Sequence, residues 1–158
     1  MAAESEMFPF VISYDAPENA VNVSSWLARP AGKQGFIRTQ NGRLVNDAGP
    51  VRFWATNLCF EACFPPREQA ERVAARLARL GVNCVRMHHM DNRSIWGDSP
   101  NKLTIDPKKL ERLDYLIYQL KEHGIYTNLN LHVSRWFDES VEPPRHVEVR
   151  RVRGLSQP

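Results

Sequence analysis

Apolar and polar positions along residues 51–132 switch between two periods, one near 3.6 and one of 2, in a repeated order. Ala70, Val73, Ala74, Leu77 and Leu80 recur at i, i+3, i+4, i+7 and i+10, with Arg67, Glu68, Arg72, Arg76 and Arg79 on the opposite face. This predicts an amphipathic helix opened by Pro65-Pro66 and stopped by Gly81. The run Val82 to His88 then reads as a strand. A second helix is predicted from Asp106-Pro107, an N-cap acid followed by an N1 proline, with Leu110, Leu113, Ile117 and Leu120 as its buried stripe. Gly124 ends it, and Ile125 to His132 forms the next strand. Val51 to Leu58, rich in β-formers, supplies an earlier strand ahead of the first helix. Tandem strand-helix-strand units of this length imply parallel strands joined by right-handed crossovers.

Outside that block the pattern changes. Asn41-Gly42 stands between the β-prone runs 35–40 and 43–45, a hairpin signal because both turn positions favour φ > 0. Gly49-Pro50 reads as a breaker, and residues 8–34 as an irregular or edge segment. Beyond Val133, Pro143-Pro144, scattered arginines and spaced valines give neither a helical stripe nor a long strand. The expected organisation is an irregular segment with a β-ribbon over 1–50, a partial (β/α) barrel over 51–133 and an irregular tail over 134–158.

Composition bounds this picture without replacing it. The chain has 158 residues, 42% of them hydrophobic and 25% charged, which is ordinary for one globular domain. A closed (β/α)8 TIM barrel takes about 250 residues, so the expected fold class is α/β with a partial barrel of three parallel strands and two helices. The net charge of +3 is spread along the chain with no basic run, which argues against a nucleic-acid partner. MAAESEMFPF is acidic and has no apolar h-region, and no stretch reaches the roughly 20 apolar residues of a membrane span. A cytoplasmic location is expected of the chain as it stands, and secretion of one with a different native N-terminus. Cys59, Cys63 and Cys84 lack a second Cys/His pair at zinc spacing and are expected to be buried, reduced thiols.

Active sites of parallel α/β folds gather at the C-terminal ends of the strands. Alternation sends Leu129 and Leu131 toward the helices and Asn128, Asn130 and His132 to the other face. By the same rule Val85 and Met87 face the helices, while Cys84, Arg86 and His88 face away. An inward arginine is costly to bury unpaired, so Arg86 is expected in the interior beside an acidic partner, as a site residue or in a structural salt bridge. The long connection 89–105 carries Asp91, Asn92, Trp96, Gly97 and Asp98; Trp96 either stacks on a sugar ring or plugs the barrel rim. Adjacent histidines on a strand point to opposite faces, so His88 and His89 share a site only if the strand has ended between them. With His-x-His and His-Glu-x-x-His spacing missing, no metal or other cofactor is expected.

The runs Phe53-Trp54-Ala55-Thr56-Asn57-Leu58, Arg76 to Leu80, Gly81 to Asp91 and Asn130-Leu131-His132 together resemble the start of cellulase-like clan A glycoside hydrolases, near glycoside hydrolase family 5. The resemblance covers roughly residues 35–135 and implies a (β/α)8 barrel that hydrolyses β-linked glycans with retention. It further implies that Arg86 and His132 surround the catalytic carboxylates and the sugar at the cleavage point. Asn57, His88, His89, Trp96 and Asn130 complete the expected substrate-binding set. Retention needs two carboxyl groups about 5–5.5 Å apart, which the family draws from its fourth and seventh strands, the first after an Asn-Glu pair that this sequence lacks. The chain is therefore expected to be such a hydrolase or a truncated piece of one. If it is active alone, its carboxylates come from Glu61, Asp91, Asp98, Asp138 or Glu139, with Glu61 and Asp91 first because each lies close to a strand end. The alternatives are a non-catalytic carbohydrate-binding or assembly fragment, in which Trp54, Trp96 and Trp136 hold a glycan, and a metal-dependent hydrolase. The expected partner is an oligo- or polysaccharide, with self-association through open sheet edges.

Overall fold

The computed structural model describes Ser13 and residues 21–97 and 104–133; after a short 3₁₀ turn at Ser24–Trp26 these contain a β-ribbon. Strands β1 (Arg38–Gln40) and β2 (Arg43–Asn46) pair antiparallel with Gln40 opposite Arg43. Asn41 and Gly42 between them have φ of 51° and 72°, the left-handed pair that a two-residue hairpin turn demands. Gly49-Pro50 does not simply break the chain: it forms a short strand, β3 (Gly49–Pro50), antiparallel to β2. Proline is tolerated there because β3 is the outer strand of this ribbon.

A second sheet is parallel, in the order β4 (Ala55–Cys59), β5 (Cys84–His88) and β6 (Tyr126–Leu129). Helix α1 (Arg67–Arg79) connects the first two, and α3 (Pro107–Glu122) the last two, preceded by a one-turn helix α2 (Arg93–Trp96). The fold is thus α/β, as the alternating periods require. All three parallel strands are shorter than expected. The largest difference is in β6, which stops at Leu129, so Asn130 and His132 lie just past the strand.

Each helix begins and ends for a local reason. Asp106 caps α3, its Oδ1 accepting from the amides of Lys108 at 2.7 Å and Lys109 at 3.2 Å. Gly81, with φ 74°, carries the chain out of α1 into β5. The buried face of α1 is Ala70, Ala74 and Ala78, a row of small side chains at spacing four against which Leu113, Leu116 and Leu120 of α3 pack. Val85 and Met87 of β5 close the same core from the sheet side, with Phe64 and Ile125. Leu80 and Leu110, expected in the stripes, are exposed, and Leu116 is buried in place of Leu110. Leu80 is the cap residue beyond the end of α1, and α3 buries Leu113, Leu116 and Leu120 at i, i+3 and i+7, a stripe that Leu110 falls outside. The tyrosine of α3 at Tyr115 donates to Glu71 of α1 at 2.5 Å, and Arg67 pairs with Glu111, so the two helices are also tied at their solvent edge.

The segment 21–34 has a definite job that its irregular sequence conceals. Its backbone crosses the ends of both helices: the amide of Val23 donates to Arg79 at 3.0 Å and that of Ala31 to Lys121 at 2.8 Å. Helix C-termini leave carbonyls without an intrahelical donor, and these amides satisfy two of them. Gly124, the residue leaving α3, lies directly beneath Ala28.

Candidate functional site

The C-terminal edge of the parallel sheet collects the polar side chains. Register puts Asn57, Arg86 and Asn128 in one cross-strand row, with Cys59 and His88 side by side in the next. Val85 and Met87, buried against the helices, occupy the other face, so this polar face points away from the core.

Asn130 joins the rows. Its Oδ1 accepts from Arg86 Nη2 at 2.9 Å and lies 2.7 Å from His88 Nδ1. A guanidinium has only donors, so the Arg86 contact requires the carboxamide oxygen, not its NH₂, to face this side. That oxygen can only accept, so Nδ1 of His88 carries a proton, and in the neutral ring Nε2 is then the acceptor. A network of neutral and charged groups thus sets the tautomer of one histidine from two residues away.

Two bulky residues at the same edge adopt left-handed backbone, Phe60 and His89, each with φ 53°. Each follows immediately on a strand, β4 and β5 respectively. Such φ values are uncommon outside glycine and asparagine and persist only where the surroundings hold them. Here the rings hold each other: Phe60 stacks on His89 with centroids 4.7 Å apart, and His89 meets His88 edge-on at 4.1 Å. The strand has ended between the two histidines, and the reversal of φ brings both to one side, where strict alternation would have separated them.

Of the two carboxylates ranked first, Asp91 is 4% exposed and accepts the amide of Val133 at 2.6 Å, with His132 Nδ1 at 3.6 Å. It ties the loop after β5 to the loop after β6. Glu61 lies in a short 3₁₀ turn after β4 (Phe60–Cys63) and pairs with Lys109 of α3 at 2.5 Å, its own side chain largely exposed. Trp96 is partly buried against the core, and its Nε1 donates to the Asp91 carbonyl at 3.1 Å. His132 is exposed beyond β6, and Asn57 is exposed within β4. Asp98, Trp136, Asp138 and Glu139 lie outside the described residues.

Arg86 departs from expectation. It is exposed, and its bonded partner is the neutral Asn130 rather than a carboxylate. The burial argument assumed a covered sheet face, whereas among the described residues nothing is packed over it. Leu129 and Leu131 show the complementary effect, at 46% and 77% exposed, although Leu129 is the register partner of the buried Met87. Arg86→Ala is accordingly expected to cost no more than about 1 kcal/mol, the worth of one solvent-accessible hydrogen bond. Thermal melts of the two proteins check this; a loss of about 3–5 kcal/mol would instead indicate a buried ion pair.

Sequence reading passed over Phe60 and took Cys59 and Cys84 for buried thiols, whereas both are only partly buried, standing on the face of the sheet away from the helices. Extending the alternation of Asn57 by one step puts Cys59 on the polar face, so that residue was within reach; Phe60 was not, because its place depends on a backbone reversal. The thiols differ sharply in setting. Cys63 is fully buried, its Sγ donating to Leu58 at 3.3 Å, and burial first, then the neighbouring Cys59, pushes its pKa up to about 11. Burial also raises that of Cys84. A recess of about 360 Å³ lies at the opposite, N-terminal edge, but the Asn83 amide lining it is already spent on Trp54 and Arg52 backbone.

No helix of the described residues is long and apolar enough to cross a membrane. Comparison with known protein families, with curated proteins and with solved structures finds no match for this chain.

Proposed function

We propose that the parallel units begin a (β/α)8 barrel of the cellulase-like glycoside hydrolase kind, and that the polar face binds a β-linked oligo- or polysaccharide at its C-terminal edge. The observation that carries this reading is the Arg86–Asn130–His88 network, with Asn57 beside it. Together these supply donors and an acceptor spread over one polar face, the chemistry that hydroxyl-rich ligands require. The exposed face of Phe60, with His89 beneath it, offers an apolar surface for the C–H face of a sugar ring. In hydrolysis Arg86 would hold a carboxylate in its charged state, and His88, with Nε2 open, would accept from a sugar hydroxyl.

A second reading, glycan binding without cleavage, is favoured by one feature. The Asp91 carboxylate is committed to the Val133 amide and is almost wholly covered, which suits a structural strut better than a nucleophile. Titrating β-1,4-linked gluco- and manno-oligosaccharides into the ¹⁵N-labelled chain tests both. Shifts centred on Asn57, Arg86, His88 and Asn130, lost in Asn130→Ala, are expected; reducing-end release then separates hydrolase from binder. Absence of shifts at that edge with every such glycan would remove the carbohydrate reading altogether.

A further inference from the structure

We propose that the chain binds a second copy of itself, the groove of one copy's β-ribbon taking the exposed face of α3 from the other. Neither surface belongs to the polar sheet face or to the open strand edges, so the inference does not need the carbohydrate reading.

An open groove of about 600 Å³ lies where β2 meets the segment leading into β4. Leu44, Pro50, Val51 and Phe53 give it an apolar lining, and Arg43 and Arg52 flank it from separate segments. The lining is fixed in place. The Val51 amide donates to the Leu44 carbonyl at 2.8 Å, and the Asn83 side chain bonds the backbone of Arg52 and Trp54 on either side of Phe53. The Phe53 ring in turn meets Tyr126 edge-on at 5.6 Å. Arg38 of the same ribbon has its carboxylate, Asp47 at 2.7 Å, whereas among the described residues neither Arg43 nor Arg52 has one. Two like charges held beside one apolar groove favour an acidic partner that also carries apolar side chains.

Another described surface of the same chain has that chemistry. On the outer side of α3, Leu110 and Tyr118 are exposed at i and i+8, and Asp114 stands midway between them. The neighbouring Glu111 is spent on Arg67, but Asp114 makes no ion pair among the described residues. The leucine and tyrosine suit the apolar lining, and the carboxylate suits the two guanidiniums. Within one chain the two surfaces lie at opposite ends. Lys109, in the first turn of α3, pairs with Glu61 just past β4, which puts that end of the helix at the C-terminal edge of the sheet. Arg52 and Phe53 precede β4, at the N-terminal edge. Complementary surfaces so separated join copies, reciprocally or end to end.

Sedimentation velocity of the full chain over a range of concentrations tests this. The weight-average sedimentation coefficient is expected to rise with concentration, and the association to weaken several-fold between about 50 mM and about 500 mM salt, because both sets of charges are exposed. Arg43→Glu/Arg52→Glu and Asp114→Arg, each by itself, should weaken it at least about ten-fold. An equimolar mixture of the two variants should associate again, since each then offers the charge the other needs. A chain that stays monomeric at every concentration would overturn the inference, as would a mixture that stays monomeric. Association that survives either reversal would run through other surfaces, such as the open strand edges, and would overturn it too. Near-ultraviolet circular dichroism checks that the variants fold; should one fail, the unaltered chain decides, and association indifferent to salt sinks the proposal.

Discussion

Gly124→Ala is expected to destabilise the fold by about 3 kcal/mol, measured by urea denaturation. Two costs add. Gly124 has φ 80°, and an L residue held in the left-handed region pays about 1–2 kcal/mol. A Cβ there would also stand 2.7 Å from the Ala28 carbonyl oxygen and 3.0 Å from Leu27 Cβ, forcing apart the segment that covers the ends of α1 and α3 and adding roughly 1–3 kcal/mol of overpacking. Gly42→Ala is the control. Its φ of 72° is similar, but nothing lies within 4 Å of the added carbon, so only the backbone cost of about 1 kcal/mol remains. Equal losses in the two variants would mean that the 21–34 segment does not press on the helix ends, and that its hydrogen bonds to Arg79 and Lys121 contribute little.

Asp91→Ala is expected to cost about 1.5–3 kcal/mol, because the Val133 amide loses its bond to a charged acceptor whose own side chain is covered. The damage should be local before it is global. Amide exchange at Val133 should accelerate, while the amides of α1 and α3 slow or quicken only with overall stability. Asp91→Asn retains an acceptor oxygen and should recover at least half of the loss. Full activity toward any glycan in Asp91→Asn would exclude Asp91 as a catalytic carboxylate, and unchanged exchange at Val133 in Asp91→Ala would show that the two loops are held by other means.

Both variants bear on what can be read from a linear chain. The helices were legible because their signals are local: the Asp106-Pro107 start, the glycines after each last turn and the 3.6 period need no tertiary knowledge. The Asn41-Gly42 turn was legible for the same reason, since few residue pairs accept two positive φ values in succession. Alternation likewise assigned Arg86, His88 and Asn130 to one face, a consequence of strand geometry alone.

What lay beyond the sequence depends on contacts between segments far apart in it. Whether Arg86 is buried is a property of what covers the sheet, so its composition-neutral neighbourhood could not reveal an exposed guanidinium resting on Asn130. Asp91 looked like a loop carboxylate near a strand end and became a strut only because Val133, 42 positions later, returns to it. The gathering of Phe60, His88 and His89 rests on two backbone reversals that no residue preference demands, held by ring stacking across two strands. Local chemistry therefore chose the elements and the facing of their side chains. The pairing of β4, β5 and β6 in register decided which of those side chains meet, because hydrogen bonds and ring contacts act over a few ångströms and only the assembled sheet brings such distant residues that close.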